Sequence, residues 1–281
     1  MMDELASIIK NSFDGTIEYL KKNNIQVEEK LSLIILESYD EYQQKYGTNP
    51  RIHVGEYDRK KNEVHIIKNR LREVINRDIN DPNKIFIGNL VSIYHNGILW
   101  PVYKNDNDIE EIIVKAVTDS IVTHEIGHSI VGHGEWRTSA FEFLVYFYKN
   151  ELYKYSEVYR IMEKNIKICE EYIKKENSSS SYSLGSRLAP YSFGSCFAND
   201  IIYVHEKILN KDKQSPKLNI KDMIEKLKFF SKDYYVEITK TFNEILIDYM
   251  TVAKTLNAKY TMLSWITNCL LEKPPNMTNN I

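Results

Sequence analysis

Residues 109–134 read IEEIIVKAVTDSIVTHEIGHSIVGHG, a stretch in which apolar residues recur at helical spacing. The positions that follow one face, at steps of three and four residues, are Ile113, Val117, Ile121, His124 and His128. An apolar stripe of this kind holds a helix against a hydrophobic core. The pattern therefore predicts one long helix that carries two histidines toward the interior of the protein.

Both ends of this helix have recognisable signals. Asp106 or Asp108 can cap its first turn, and two glutamates follow at positions that complement the helix dipole. Gly132 and Gly134 stand where the apolar period stops, and glycine is the usual residue just past a helix end. The helix is thus expected to span the region between the aspartates and these glycines.

His124 and His128 are four residues apart, so their imidazoles lie one above the other and can bind the same metal ion. Glu125 is turned by about 100° around the helix axis, which aims it poorly for a third ligand and well for a base beside a bound water. This pattern predicts a zinc site with an open position for water. The alternative is a helix that carries two histidines by chance.

His124, Glu125 and His128 resemble the motif of the zincin metallopeptidases, and HEIGHSIVGH is locally similar to the ImmA/IrrE peptidases. The resemblance covers only the motif and its neighbours. It implies one zinc ion per chain, strands that precede the active-site helix, and hydrolysis of peptide bonds with Glu125 as general base. The metzincin subgroup is excluded, because Val131 and Gly134 stand where that subgroup has a glycine and a third histidine.

Glu142 is predicted to be the third zinc ligand. It is the only charged residue between Arg137 and Lys149, and it lies in the apolar sequence TSAFEFLVYFY. A buried carboxylate is unfavourable unless it is paired or bound to a metal, and zinc would supply that compensation. The position of Glu142 on a helix soon after the motif also resembles the gluzincin arrangement.

Two alternatives to Glu142 as ligand remain open. Ser139 and Glu142 have the spacing of a capping box, in which the glutamate only satisfies a backbone N–H. Glu135 could be the ligand if the chain folds back immediately after Gly134. His133 is not expected to bind the metal, because a continuing helix would turn it about 140° away from the ligand face.

A peptidase also needs a hydrogen-bond donor for the oxyanion and a strand that pairs with an extended substrate. The sequence SRLAPYSFGSCFAND, residues 186–200, offers Tyr191 and, as an alternative, Arg187. This segment is similar to the tyrosine-containing segment of some gluzincins, although a tyrosine is more often a packing residue. In zincins an edge strand pairs with the substrate, and the hairpin at Asn96-Gly97 is the expected strand here.

The fold class expected from the whole sequence is α+β and mostly helical, with a zincin-like order of a small N-terminal sheet, a long active-site helix and a helical C-terminal lobe. The predicted N-terminal elements are helices in 3–22 and 27–47, strands in 51–57 and 63–68, and a hairpin of two strands in 84–103. Pro101 indicates that the returning strand is an edge strand. A single catalytic domain, 1–281, is expected in two lobes, 1–134 and 135–281.

The composition of the chain limits the classes of binding partner that can be expected. The 37 basic and 39 acidic residues nearly cancel and form no long block of one sign, so neither a nucleic acid nor a membrane surface is indicated as a partner. Cys169, Cys196 and Cys269 are far apart and form no CxxC pair, so no disulfide framework is indicated. Residues 1–15 lack the pattern of a secretory signal, which makes the cytoplasm the expected location. The oligomeric state stays open.

The main hypothesis is a zinc-dependent metallopeptidase that acts on a peptide or protein substrate. The alternative is a zincin-fold regulatory or binding protein with a single protein partner and little general peptidase activity. A third reading, a helical protein with a fortuitous motif, predicts that the purified protein contains no zinc. Cleavage of generic peptides that stops on chelation separates the first hypothesis from the second.

Overall fold

The computed structural model describes residues 4–47, 54–104, 108–132, 134–178, 189–203, 206 and 220–229. As predicted, the protein is α+β and mostly helical, with small sheets. The helices are α1 Leu5–Lys22, α2 Tyr39–Tyr46, α3 Lys68–Ile79, α4 Ile109–Val131, α5 Glu135–Lys149, α6 Val158–Ser178, α7 Ala189–Tyr203 and α8 Ile220–Phe229. The strands are β1 Ser32–Leu36, β2 Gly55–Asp58, β3 Glu63–Ile67, β4 Ile85–Ile87, β5 Leu90–His95 and β6 Ile98–Tyr103.

The first sheet has the order β1-β3-β2, with β1 parallel and β2 antiparallel to β3. The prediction of one helix over 27–47 is wrong, because Ser32–Leu36 forms β1 and only Tyr39–Tyr46 is helical. A short apolar run such as SLIIL fits a buried strand as well as a buried helix. α2 begins after Ser38, which caps the helix because its hydroxyl accepts a hydrogen bond from the Glu41 amide.

The second sheet is the antiparallel meander β4-β5-β6. Its second hairpin turns at Asn96-Gly97, as predicted, with φ angles of 47° and 83° that suit this residue pair. β6, which contains Pro101, is an edge strand, also as predicted. The described residues thus form two separate sheets rather than one, and β4 is a strand that the hairpin pattern did not predict.

α4 is the central helix and packs against α1, α3, α5 and β2. It is capped as predicted by Asp108, whose carboxylate accepts the Glu110 amide at 3.1 Å. It ends before Gly132, which has a left-handed φ of 85°. Its buried residues are not limited to the predicted stripe, since Val114 and Val122 on other faces are buried as well. The two histidines therefore belong to a helix that is covered on several sides.

One hydrophobic core includes residues from before and after the α4–α5 turn, among them Val117, Phe141 and Ile201. α1 contributes buried apolar residues to this core, and its Thr16 hydroxyl also lies 3.1 Å from that of Thr123 and accepts a hydrogen bond from Lys149 at 2.9 Å. Among the described helices, none is both long and apolar enough to cross a membrane.

Cys169 of α6 and Cys196 of α7 form a disulfide across a sequence separation of 27 residues. The sequence indicated no disulfide framework, because this spacing matches no cysteine motif. The two cysteines meet because α6 and α7 pack side by side. The disulfide therefore fixes α7, the helix that begins next to the candidate site.

Candidate metal centre

The turn between α4 and α5 sets the geometry of the candidate site. Only residues 132–134 separate the two helices, so the chain folds back at once. Gly132 supplies the left-handed conformation that this reversal uses. Gly127 lets the helices approach closely, because a Cβ at this position would lie 2.7 Å from Cδ1 of Phe141. The condition under which Glu135 could reach the motif is therefore met.

His124, His128 and Glu135 form a group whose potential ligand atoms all lie within 4.8 Å of one another. Oε2 of Glu135 is 3.1 Å from Nε2 of His124 and 3.7 Å from Nε2 of His128. The imidazoles are largely buried, whereas the Glu135 side chain is 40% exposed. The group therefore has a buried side made by α4 and a side, at Glu135, that is open to solvent.

Hydrogen bonds at the other ring nitrogens orient both imidazoles. Nδ1 of His124 lies 2.9 Å from Oε2 of Glu142, and Nδ1 of His128 lies 3.1 Å from the Thr138 hydroxyl and 3.4 Å from the carbonyl oxygen of Gly132. An ionised carboxylate can only accept, so we infer that Nδ1 of His124 carries a proton; Nδ1 of His128 can donate in the same way while the Thr138 hydroxyl donates to the Gly134 carbonyl oxygen at 3.1 Å. The Nε2 atoms of both rings face Glu135, and they are the nitrogens that would bind a metal ion. Two imidazole nitrogens and a carboxylate are the donor set of catalytic zinc sites, so these residues fit a zinc ion.

The carboxylates around His124 favour a positive charge at this site. Burial lowers the pKa of His124, but hydrogen bonds to Glu135 and Glu142 outweigh burial and raise that pKa to about 10. Hydrogen bonding to His124 in turn lowers the pKa of Glu135 against the effect of burial. Without a metal, a proton on His124 balances these carboxylates. A zinc ion would take the place of this proton at Nε2.

Glu142 is fully buried, as predicted, and is compensated by hydrogen bonds. Nδ2 of Asn96 donates to both of its oxygens, at 3.2 and 3.1 Å, and the Ser120 hydroxyl donates to Oε1. Its other contact, to His124, is at Nδ1, so Glu142 does not belong to the group around Nε2. The structure thus places the two candidate carboxylates, Glu142 and Glu135, at opposite nitrogens of one imidazole.

The capping-box alternative for Glu142 is wrong. α5 begins at Glu135, so Ser139 lies inside the helix and cannot be its N-cap. The Ser139 hydroxyl is buried and has no hydrogen-bond partner among the described residues. His133 and Arg187, the other side chains weighed for the site, lie outside the described residues.

Glu125 is buried between α4 and β2. A Cβ on Gly55 of β2 would lie 2.8 Å from Cγ of Glu125 and 2.9 Å from Oε1, so the glycine makes room for this carboxylate. Burial raises the pKa of Glu125 to about 8, which His124 opposes and Glu135 reinforces. A metal ion nearby would favour the ionised form. The carboxylate is thus placed beside the group, where a bound metal ion would help to keep it ionised and able to accept a proton.

Tyr191 lies at the group, in the first turn of α7 rather than in the connection before it. Its ring stacks on that of His124, with centroids 5.5 Å apart, and its hydroxyl hydrogen bonds to Glu135. Burial, followed by the charge of Glu135, raises its pKa, so the hydroxyl keeps its proton and remains a donor. The structure therefore brings the predicted oxyanion donor to the predicted ligands.

The Asn96-Gly97 hairpin does not offer the free strand edge that was expected of it. Asn165 occupies the outer edge of β6, because its side chain accepts the Leu99 amide at 2.7 Å and donates to the Leu99 carbonyl at 2.8 Å. The Tyr146 hydroxyl donates to the Pro101 carbonyl at 3.2 Å. The prediction that a substrate pairs with this hairpin is therefore wrong. The hairpin tip instead contributes Asn96 to the inner side of the site.

Sequence reasoning missed Ser120 and His95. Ser120 is four residues before His124, so the helical period already places it on the ligand face. His95 belongs to no sequence motif, yet its Nε2 lies 2.9 Å from the Ser120 hydroxyl and its Nδ1 lies 3.1 Å from Asp78. No local pattern could reveal these partners, because α3, β5 and α4 meet only in the folded chain.

No family model, curated protein or solved structure matches this chain. The function is therefore inferred from the geometry and chemistry of the site.

Proposed function

We propose that this protein is a zinc-dependent metallopeptidase with His124, His128 and Glu135 as its metal ligands. The observation that carries the proposal is the convergence of two Nε2 atoms and one carboxylate oxygen. The orientation of both rings through Nδ1 supports it further, since histidine ligands of zinc commonly donate their second N–H to a carboxylate or a carbonyl. Three protein ligands leave a fourth position for water, as in catalytic zinc sites.

Glu135 replaces Glu142 as the proposed third ligand. Glu135 faces the Nε2 atoms of both histidines, and its partial exposure leaves room for a substrate. Glu142 faces Nδ1 of His124 and has its oxygens occupied by Asn96 and Ser120. Its role in this proposal is to orient His124 and to strengthen it as a ligand.

In the proposed reaction, Glu125 transfers protons and Tyr191 stabilises the oxyanion. A zinc ion in this site would polarise a peptide carbonyl and lower the pKa of a water molecule. Glu125 accepts the proton from the attacking water and delivers it to the nitrogen of the departing amine. Tyr191, which keeps its phenolic proton, donates a hydrogen bond to the oxygen that becomes negative.

β2 is the proposed strand for an extended substrate. It is an edge of the first sheet, and it packs on α4 beside Glu125. The Val54 carbonyl accepts the Ile67 amide at 2.9 Å, so antiparallel alternation turns the backbone N–H and C=O of Gly55 away from β3. A peptide that pairs with this edge would pass next to the Glu125 carboxylate, which makes a peptide a suitable substrate class.

Glu125→Gln tests the mechanism, because the amide keeps the size of the side chain and cannot act as a base. We expect this variant to bind one zinc ion per chain, as the wild type does, and to lose peptide hydrolysis by at least about 100-fold. The measurements are metal analysis of the purified proteins and cleavage of a mixture of generic peptides with and without a chelator.

Each outcome of this experiment has a distinct meaning. Undiminished cleavage by Glu125→Gln would contradict the mechanism. Wild-type protein that binds no zinc would contradict the proposed function as a whole. Stoichiometric zinc without cleavage of any peptide would favour the alternative, a zincin-like protein that regulates or binds a single protein partner.

A further inference from the structure

A continuous chain of buried polar side chains leads from the end of α3 to His124. Oδ2 of Asp78 lies 3.1 Å from Nδ1 of His95, and Nε2 of His95 lies 2.9 Å from the Ser120 hydroxyl. The hydroxyl donates to Oε1 of Glu142, whose Oε2 lies 2.9 Å from Nδ1 of His124. All five side chains are buried. The chain therefore connects the second sheet to the proposed ligand through interior contacts only.

The direction of these hydrogen bonds fixes the protonation of His95. The Ser120 hydroxyl has one hydrogen, which it gives to Glu142, so its oxygen must accept from Nε2 of His95. Nδ1 of His95 faces the carboxylate of Asp78, which accepts. Both ring nitrogens therefore carry hydrogen, and the imidazole is a cation placed between two buried carboxylates. Burial lowers the pKa of His95, but Asp78 and Glu142 outweigh burial and raise it to about 9.

Asp78 is itself held in place on its other side. Nε of Arg77 donates to Oδ1 of Asp78 at 2.8 Å, while Oδ2 is used by His95. Asp78 is 2% exposed, so it depends on these two donors for its charge. Among the described residues, its hydrogen bonds and ion pairs are with Arg77 and His95, not with Glu142 or His124. Any effect of Asp78 on the proposed metal site must therefore pass through His95.

We infer that His95, held by Asp78, is a positioning residue of the metal site, because it fixes the Glu142 carboxylate that orients His124. This inference rests on the proposed zinc site. When zinc is bound at Nε2, His124 is neutral and no longer balances the charge of Glu142. His95 is then the buried cation nearest to Glu142 among the described residues, with its Nε2 3.8 Å from Oε1.

Substitution of His95 by an uncharged residue would remove the positive charge that lies between the buried carboxylates of Asp78 and Glu142. Without the His95 ring, the Ser120 hydroxyl and the Glu142 carboxylate lose the contact that fixes their positions, and a buried carboxylate that loses a partner tends to reorient. A reoriented Glu142 would weaken the hydrogen bond from Nδ1 of His124 and reduce the affinity of Nε2 for a metal. Removal of an outer partner of a metal ligand typically reduces metal affinity by about 10–100-fold.

The test compares His95→Gln and Asp78→Asn with His65→Gln as a matched control. His65 is also a buried histidine beside two carboxylates, Glu63 and Glu56, whereas the ring of His124 is oriented by a different carboxylate, Glu142. Zinc affinity is measured by competition with a coloured chelator, and thermal unfolding of the zinc-free proteins reports folding. We expect about tenfold weaker zinc binding for His95→Gln and for Asp78→Asn, and an unchanged affinity for His65→Gln.

A double variant separates positioning from general destabilisation. Because Asp78 acts through His95, the variant with both substitutions should bind zinc about as weakly as His95→Gln alone. If His95→Gln does not fold, Asp78→Asn alone carries the comparison with the control. Wild-type zinc affinity in the folded His95→Gln or Asp78→Asn protein would overturn this inference and leave the zinc site intact. A wild-type protein that binds no zinc would overturn the proposed function and this inference together.

Discussion

His124 has a carboxylate at each nitrogen of its ring, and this is why different roles are proposed for the two glutamates near the motif. Nδ1 faces the fully buried Glu142, and Nε2 faces Glu135, whose side chain is 40% exposed. A catalytic ligand must lie where a substrate can approach, whereas an orienting carboxylate is best kept away from water. The difference in exposure therefore agrees with the proposed roles of the two carboxylates.

Substitution of the two glutamates by glutamine should separate these roles. Glu135→Gln removes a proposed ligand, so we expect stoichiometric zinc to be lost. Glu142→Gln keeps a hydrogen-bonding side chain at Nδ1, so we expect zinc affinity to fall by about 10–100-fold while binding persists. Competition with a chelator measures both. The reverse order, with the greater loss in Glu142→Gln, would restore Glu142 as the ligand.

The convergence of the motif residues could be predicted from the sequence, and the choice between Glu142 and Glu135 as the proposed third ligand could not. The helical period alone places His124, Glu125 and His128 together. Glu135 reaches them only because the chain reverses within residues 132–134, and Tyr191 reaches them only because α7 packs on α5. Burial of Glu142 was predictable from its apolar neighbours. The contact of Glu142 with Nδ1 of His124, rather than with Nε2, could not be predicted, because it depends on the angle between α4 and α5.

At the scale of elements, the close packing of α5 and α7 positions Tyr191 over His124. Gly194 makes this packing possible, because a Cβ there would overlap the carbonyl oxygen of Trp136 and lie 2.9 Å from the Ala140 amide. Both neighbours are backbone atoms of α5, so a side chain could be accommodated only if the helices moved apart.

Gly194→Ala is expected to lower the free energy of unfolding by about 1–3 kcal/mol, because the added methyl group forces α7 away from α5. Gly15→Ala in α1 is the matched control. A Cβ at Gly15 would meet nothing within 4 Å, so this change should increase stability by about 0.5–1 kcal/mol. Chemical denaturation measures both. A neutral or stabilising effect of Gly194→Ala would contradict the described packing of α7.

The elements that the sequence predicted well are those with local signals. α4 has its period and its Asp108 cap, and the hairpin has its Asn96-Gly97 turn. β1 was predicted as helix because it is completed by parallel pairing with β3, a contact that no local pattern encodes. The hydrogen bonds of Asn165 to the edge of β6 could not be predicted either, since Asn165 is 66 residues from Leu99.

At the scale of the whole molecule, the candidate site lies where three distant parts of the chain meet. The β5–β6 hairpin supplies Asn96, the α4–α5 pair supplies the ligands and Glu125, and α7 supplies Tyr191. The Cys169–Cys196 disulfide ties α7 to α6. α1 braces α4 and α5 from the side through Thr16 and Lys149. Site geometry is therefore a property of the assembled core.

The most direct test of the central claim is X-ray diffraction from zinc-loaded crystals, with data collected on both sides of the zinc absorption edge. The anomalous signal locates the ion without assumptions about its ligands. We expect one peak per chain, about 2.0–2.2 Å from Nε2 of His124, Nε2 of His128 and a carboxylate oxygen of Glu135. A peak coordinated by Glu142, or no peak at His124 and His128, would contradict the account.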